Sequence, residues 1–182
     1  AAARVAELIK NTREGKTRAV YDILEPLALP LHPEIDEEIT ANIELFKSDS
    51  WEDRMTSSFE LGERGPDARA VVPYLTEALK ENDFYIFMHT TLALEKIGPH
   101  AVAAVPTLIG CFTRGGEYPI FAAIALGGIG KPAIPALLKA IHNENPKIRI
   151  GAGDALAKIS WDTPELGPPL LEVFKNTEEH PD

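Results

Sequence analysis

The chain has 182 residues, 45 % of them apolar, and a formal net charge of −10. That length and apolar share suit one ordinary domain or one short repeat array and argue against a disordered chain. The acidic balance disfavours nucleic acid and anionic membrane as partners, since both need a basic footprint.

Membrane insertion is not expected either: the longest apolar runs, such as Ala101 to Phe112, are too short to span a bilayer and contain proline. No early segment has a signal-peptide pattern, so a cytoplasmic location is the expectation, with a removed leader left open by the Ala1 start. A single cysteine excludes an internal disulfide framework.

Along the chain, a short basic arm comes first. Residues 1–20 hold five Lys/Arg against two Glu, and Glu34 to Asp67 then hold eleven acids against three bases. Such runs ordinarily form solvated surface. Within 1–48, Ile35, Ile39, Ile43 and Phe46 mark one helical face, which reads as an atypical N-terminal capping repeat.

From residue 49 the chain repeats itself. Pro73, Pro106, Pro135 and Pro168 stand 33, 29 and 33 residues apart, a period that signals a stacked-repeat fold. The units run at about 49–81, 82–114, 115–142 and 143–176, followed by a short acidic tail. Each predicts two helices. The first ends on Leu and then glycine in LGERG (Leu61–Gly65), LEKIG (Leu94–Gly98) and LGGIG (Leu126–Gly130), while LAKIS (Leu156–Ser160) ends on serine. Glycine supplies the left-handed residue that stops a helix, and Pro66 or Pro99 starts the next, so the two form a hairpin.

The recurring proline should sit near the start of the second helix, after a short lead-in turn, where its missing N–H costs least. Counting from it, the second residue is Leu75, Leu108, Leu137 and Leu170. The fifth is Ala78, Cys111, Ala140 and Val173, and the sixth is Leu79, Phe112, Ile141 and Phe174. This spacing makes one buried face, and it makes Cys111 a small core residue, not a nucleophile. The third turn, GKPAIP, is three residues shorter than GPHAVAAVP and should locally offset the stacking.

These residues resemble HEAT-like repeats, specifically the short variety named after phycobilisome lyases. The likeness is carried by Ile148-Arg149, Ala152 and Ala155-Leu156, by Ala125-Leu126-Gly127 with Ile129-Gly130, and by Val105-Pro106 with Leu108. It implies an all-α superhelix of about four hairpins plus the cap. It also implies a non-catalytic scaffold that binds a partner protein on a concave face lined by second helices, alone or within a larger complex. The alternative it implies is a phycobilin lyase-like subunit acting on a bilin.

The outward second-helix positions are then Tyr74, Glu77 and Glu81, next Thr107, Gly110 and Arg114, next Ala136, Lys139 and Asn143. This row turns from acidic to mildly basic and suits a partner with a basic segment. Arg114 and Lys139 are its only clamps for bilin propionates. A second candidate series is the turn aromatics, Trp51, Phe84 with Tyr85, and Tyr118, for which packing between units competes with recognition.

Other motifs fail on inspection. GGIGKPAI lacks the earlier glycine (Ala125) and the Ser/Thr (Pro132) of a phosphate loop, and GAGDAL from Gly151 has Leu156 where a dinucleotide fingerprint needs a small residue. Those glycines read as close-packing positions. His32, His89, His100, His142 and His180 form no metal-ligand spacing, and no His-Glu dipeptide of the di-iron enzymes built on such repeats occurs. No catalytic, cofactor or metal residue is proposed.

Overall fold

The computed structural model describes residues 37–160, and every regular element within them is helical. Among the described residues α1 (Glu37–Phe46) comes first. Three hairpins follow, with first helices α2 (Trp51–Glu63), α4 (Phe84–Ile97) and α6 (Tyr118–Ile129). Their second helices are α3 (Val72–Ala78), α5 (Val105–Gly110) and α7 (Ile134–Ala140). The next unit contributes its first helix, α8 (Pro146–Ser160). Ile35, Pro168, Leu170, Val173 and Phe174 lie outside the described residues, as do His32 and His180.

Three of the four described first helices start where side chains satisfy free backbone N–H groups, and α6 opens with Pro119 instead. Ser50 Oγ accepts from Asp53 N at 3.3 Å, and Asp83 Oδ1 accepts from Tyr85 N and Ile86 N at 2.8 and 3.1 Å. Asn145 Oδ1 accepts from Lys147 N in the same way at 3.0 Å. α4 and α6 stop where the backbone crosses to positive φ. Gly98 (φ 67°, ψ −136°) and Gly130 (φ 71°, ψ −139°) each return an N–H to the leucine carbonyl four residues back, a conformation costly for any residue with a Cβ.

Pro73, Pro106 and Pro135 each take the second position of their α-helix, where no intrahelical N–H is lost. The lead-in before them is more than a turn. It is a 3-10 helix, Gly65–Val71 and then Gly98–Ala104, so Pro66 and Pro99 open this 3-10 segment and not the α-helix itself. In the third hairpin the shorter sequence cuts it to Lys131–Ala133.

The buried face follows the repeat register. Leu75, Leu108 and Leu137 are fully buried, as are Leu79 and Phe112, and Ala78, Cys111, Ala140 and Ile141 join them in one core. At about 25 cal/mol per Å² of apolar surface, this continuous core is the main driving force for stacking. Ile39, Ile43 and Phe46 of α1 belong to the same core.

The layer of first helices is tightly knit. α1 packs on α2, α2 on α4, α4 on α6 and α6 on α8, whereas the second helices meet partly through their 3-10 lead-ins. α8 also reaches past its neighbour. It touches Cys111–Thr113 of the second hairpin, and the Phe112 ring fills the space that a Cβ on Gly151 would need. Of the GAGDAL glycines, Gly151 is therefore a packing position, while Gly153 faces open space. Among the described residues no single helix is long and apolar enough to cross a membrane.

Candidate interaction surface

The second-helix row is less available than its spacing predicts. Tyr74, expected to face outwards, is 5 % exposed. Its ring lies edge-on to Phe46 at 6.1 Å with Lys47 Nζ 5.3 Å above it, because the end of α1 packs against it. Burial, with Glu81 and Glu44 nearby, pushes its hydroxyl far above the ordinary phenol range, so it stays protonated.

Arg114 is likewise a strut. Its Nη1 donates to Leu79 O and its Nη2 to Glu81 O, both at 2.9 Å, tying off the end of the preceding hairpin. The guanidinium stacks 3.6 Å from the Tyr118 ring centre and 5.1 Å from Phe87. Its donors and its flat face are thus engaged within the fold. Glu77 bonds Lys80 at 2.6 Å on the surface, Thr107 is half-buried, and Glu81 and Lys139 are exposed.

The turn aromatics divide into two groups. Phe84 meets Tyr118 at 5.3 Å and Phe121 at 5.7 Å, and Phe87 meets Tyr118 at 4.7 Å, so Tyr118 belongs to packing between hairpins. Trp51 and Tyr85 are 54 % and 62 % exposed.

Both of these exposed rings stand on first helices, and that layer is where the described surface is apolar. Six of its seven exposed large apolar side chains, Trp51, Met55, Phe59, Tyr85, Ile120 and Ile150, lie there, which singles out one face. The sequence held a signal for this face. Counting six residues back from Leu61, Leu94, Leu126 and Leu156 gives Met55, Met88, Ile120 and Ile150, and two residues back gives Phe59, Leu92, Ile124 and, in α8, Asp154. These positions turn away from the buried leucines.

Between α2 and α4 the face opens into a cleft of about 210 Å³, lined by Met55, Ser58, Phe59, His89, Leu92 and Lys96. Lys96 Nζ bridges its rim, 4.6 Å over the Phe59 ring and 2.5 Å from Glu63 Oε1. Burial, and secondarily the Arg54 charge, hold the His89 pKa below its usual value, so the cleft is lined by a neutral imidazole at pH 7.

Charge is graded across the same layer. α2 has a net charge of −3 (Glu52, Asp53, Glu60 and Glu63 against Arg54), Glu95 and Lys96 cancel in α4, α6 is uncharged, and α8 is +2 (Lys147, Arg149 and Lys158 against Asp154). Cys111 is buried, its thiol donating to Thr107 O at 3.2 Å, and burial raises its pKa, which suits a core residue. Among the described residues no group of three or more His, Cys, Asp or Glu is placed to hold a metal ion.

No curated protein matches the chain. Among solved structures, the crystal structure of an engineered protein from the Northeast Structural Genomics Consortium is similar, with a TM-score of 0.50 and 21 % identity. The likeness covers 75 % of this chain and 68 % of that one, and at this identity it concerns the fold. Residues 116–181 match the family model described as HEAT repeats. Hairpin geometry, neighbouring structure and matched segment agree on an all-α, HEAT-like solenoid.

Proposed function

We propose that this chain is a non-catalytic protein-interaction scaffold that receives its partner on the layer of first helices. One observation carries the reading: the exposed apolar residues concentrate there, at recurring register, and two of them, Met55 and Phe59, line an open cleft. Exposed apolar patches of this kind are characteristic of protein contact sites, and HEAT repeats generally serve as interaction scaffolds. The second-helix row retains Glu77, Glu81, Thr107 and Lys139 as a polar surface with little apolar area to bury. The negative charge of α2 favours a partner with a basic segment, within whatever larger complex the chain joins.

The likeness to phycobilisome-lyase repeats supplies the alternative, a subunit acting on a bilin. Arg114, one of the two cations available to bilin propionates, is engaged with Leu79, Glu81 and Tyr118, which leaves that alternative with Lys139.

The test places a photo-crosslinking residue at Phe59 in one version of the chain and at Thr107 in another, each irradiated in its native cells. Adducts from position 59 and none from 107 are expected. The reverse pattern returns the site to the second helices.

A further inference from the structure

The first-helix layer has two unlike halves. The α2/α4 half is hollow and acidic: it holds the 210 Å³ cleft, and α2 bears three net negative charges. The α6/α8 half is raised and basic: Ile120 and Ile150 stand 57 % and 66 % exposed, and α8 bears two net positive charges. A face with a hollow and a negative charge at one end, and knobs and a positive charge at the other, is complementary to itself.

We infer that the occupant of this layer is a second copy of the chain, related by a two-fold axis running parallel to the first helices. The inference rests on the interaction reading above and names its partner. Of the in-plane two-fold axes that bring a face onto its own copy, two keep the helices of the copies aligned. An axis across the helices sets α2 on α2 and α8 on α8, placing acid against acid and base against base. An axis along them sets α2 on α8 and α4 on α6, placing opposite charges together at both ends and apolar helices in the middle. Successive first helices of stacked hairpins run parallel, so this second choice also keeps matching levels together. Glu52 and Lys147 are each the second residue of their helix, and Met55 and Ile150 each the fifth. Ile120 and Ile150 of one copy thereby cover the cleft of the other, twice by symmetry. Four helices about 20 Å long at 8–10 Å spacing offer roughly 700 Å² per copy, close to the ~800 Å² of a standard interface.

The test is sedimentation of the 182-residue chain from about 1 to 100 µM, in about 50 mM and about 500 mM salt, which spans weak to strong screening. A dimer is expected, weakened by salt. Ile150→Asp should weaken it at least tenfold with an unchanged helical circular dichroism spectrum, the residue being exposed. Glu52→Lys and Lys147→Glu should each weaken it several-fold, and the two together should restore it to near the unsubstituted affinity. A monomer at every concentration overturns the inference, as does a dimer indifferent to Ile150→Asp or a double variant weaker than both singles. A monomer whose position-59 crosslinker still captures a different protein overturns the second copy alone. A monomer without adducts removes the interaction face as well.

Discussion

Two neighbouring seams of the first-helix layer are built differently. Between α4 and α6, a Cβ on Gly128 would lie 2.6 Å from the Glu95 carbonyl oxygen and 2.8 Å from its Cα, so backbone rests on backbone. Between α2 and α4, a Cβ on Gly62 would stay 3.7 Å from the nearest backbone atom, Ala93 Cα, and would meet mainly the flexible Lys96 stem. The apolar cleft lies along this second seam. The position that is Gly128 in α6 is Lys96 in α4, counting from Leu126 and Leu94. Glycine there lets two helices touch, whereas Lys96 arches over the joint at the rim of the cleft; Lys158 takes the same position in α8, packed on Gly127.

The contrast can be broken at several depths. The largest effect belongs to what both seams share, the buried leucine beneath them. Leu108→Ala should cost roughly 2–5 kcal/mol, and Leu137→Ala, equally buried in the next hairpin, a comparable amount by chemical denaturation. A loss below about 1 kcal/mol, the scale of a surface change, would overturn the register. Next comes the closed seam, where Gly128→Ala forces α4 from α6 and should cost about 1–3 kcal/mol. Gly62→Ala at the open seam should cost less, because a lysine stem can move aside. Equal losses would show that the two seams are alike after all.

Smaller still is Lys96→Ala, which removes one exposed ion pair and one exposed cation–π contact, together on the order of 1 kcal/mol or less. It should enlarge the cleft and increase the binding of a hydrophobic fluorescent dye, whereas dye binding unchanged from the parent would place the hollow elsewhere. The smallest effect concerns pH. His89 has a folded-state pKa below its unfolded value of 6.5, so its contribution to stability is complete above that value and declines as pH falls beneath it. His89→Gln should flatten the stability profile below pH 6.5, and an unaltered slope would mean that the imidazole does not share the cleft.

The repeat was legible because its signals are local. Pro106 at a helix start, Gly98 at a stop and Leu108 on the buried face each declare their role within a few residues, and the described helices obey them. Tyr74 misled because its surroundings depend on α1, nearly thirty residues upstream, whose Phe46 lies against its ring. Arg114 misled because a guanidinium in an outward slot can bend back to the carbonyls of the preceding hairpin. The first-helix face was written in the sequence at Met55, Met88, Ile120 and Ile150, yet apolar residues at helical spacing ordinarily signify core, and the buried leucines beside them already filled that role. Exposure depends on how many neighbours reach a helix, a tertiary property that periodicity alone does not encode.

The Phe112 ring lodged at Gly151 changes how the array comes apart. In an ideal solenoid each unit leans only on its neighbours, so ends fray one unit at a time. Here, detaching α8 also uncovers an aromatic ring two hairpins away, which couples the loss of the later units to the second. Amides of α5 and α8 should accordingly exchange with deuterium as one block, opening together instead of in sequence from the carboxyl side.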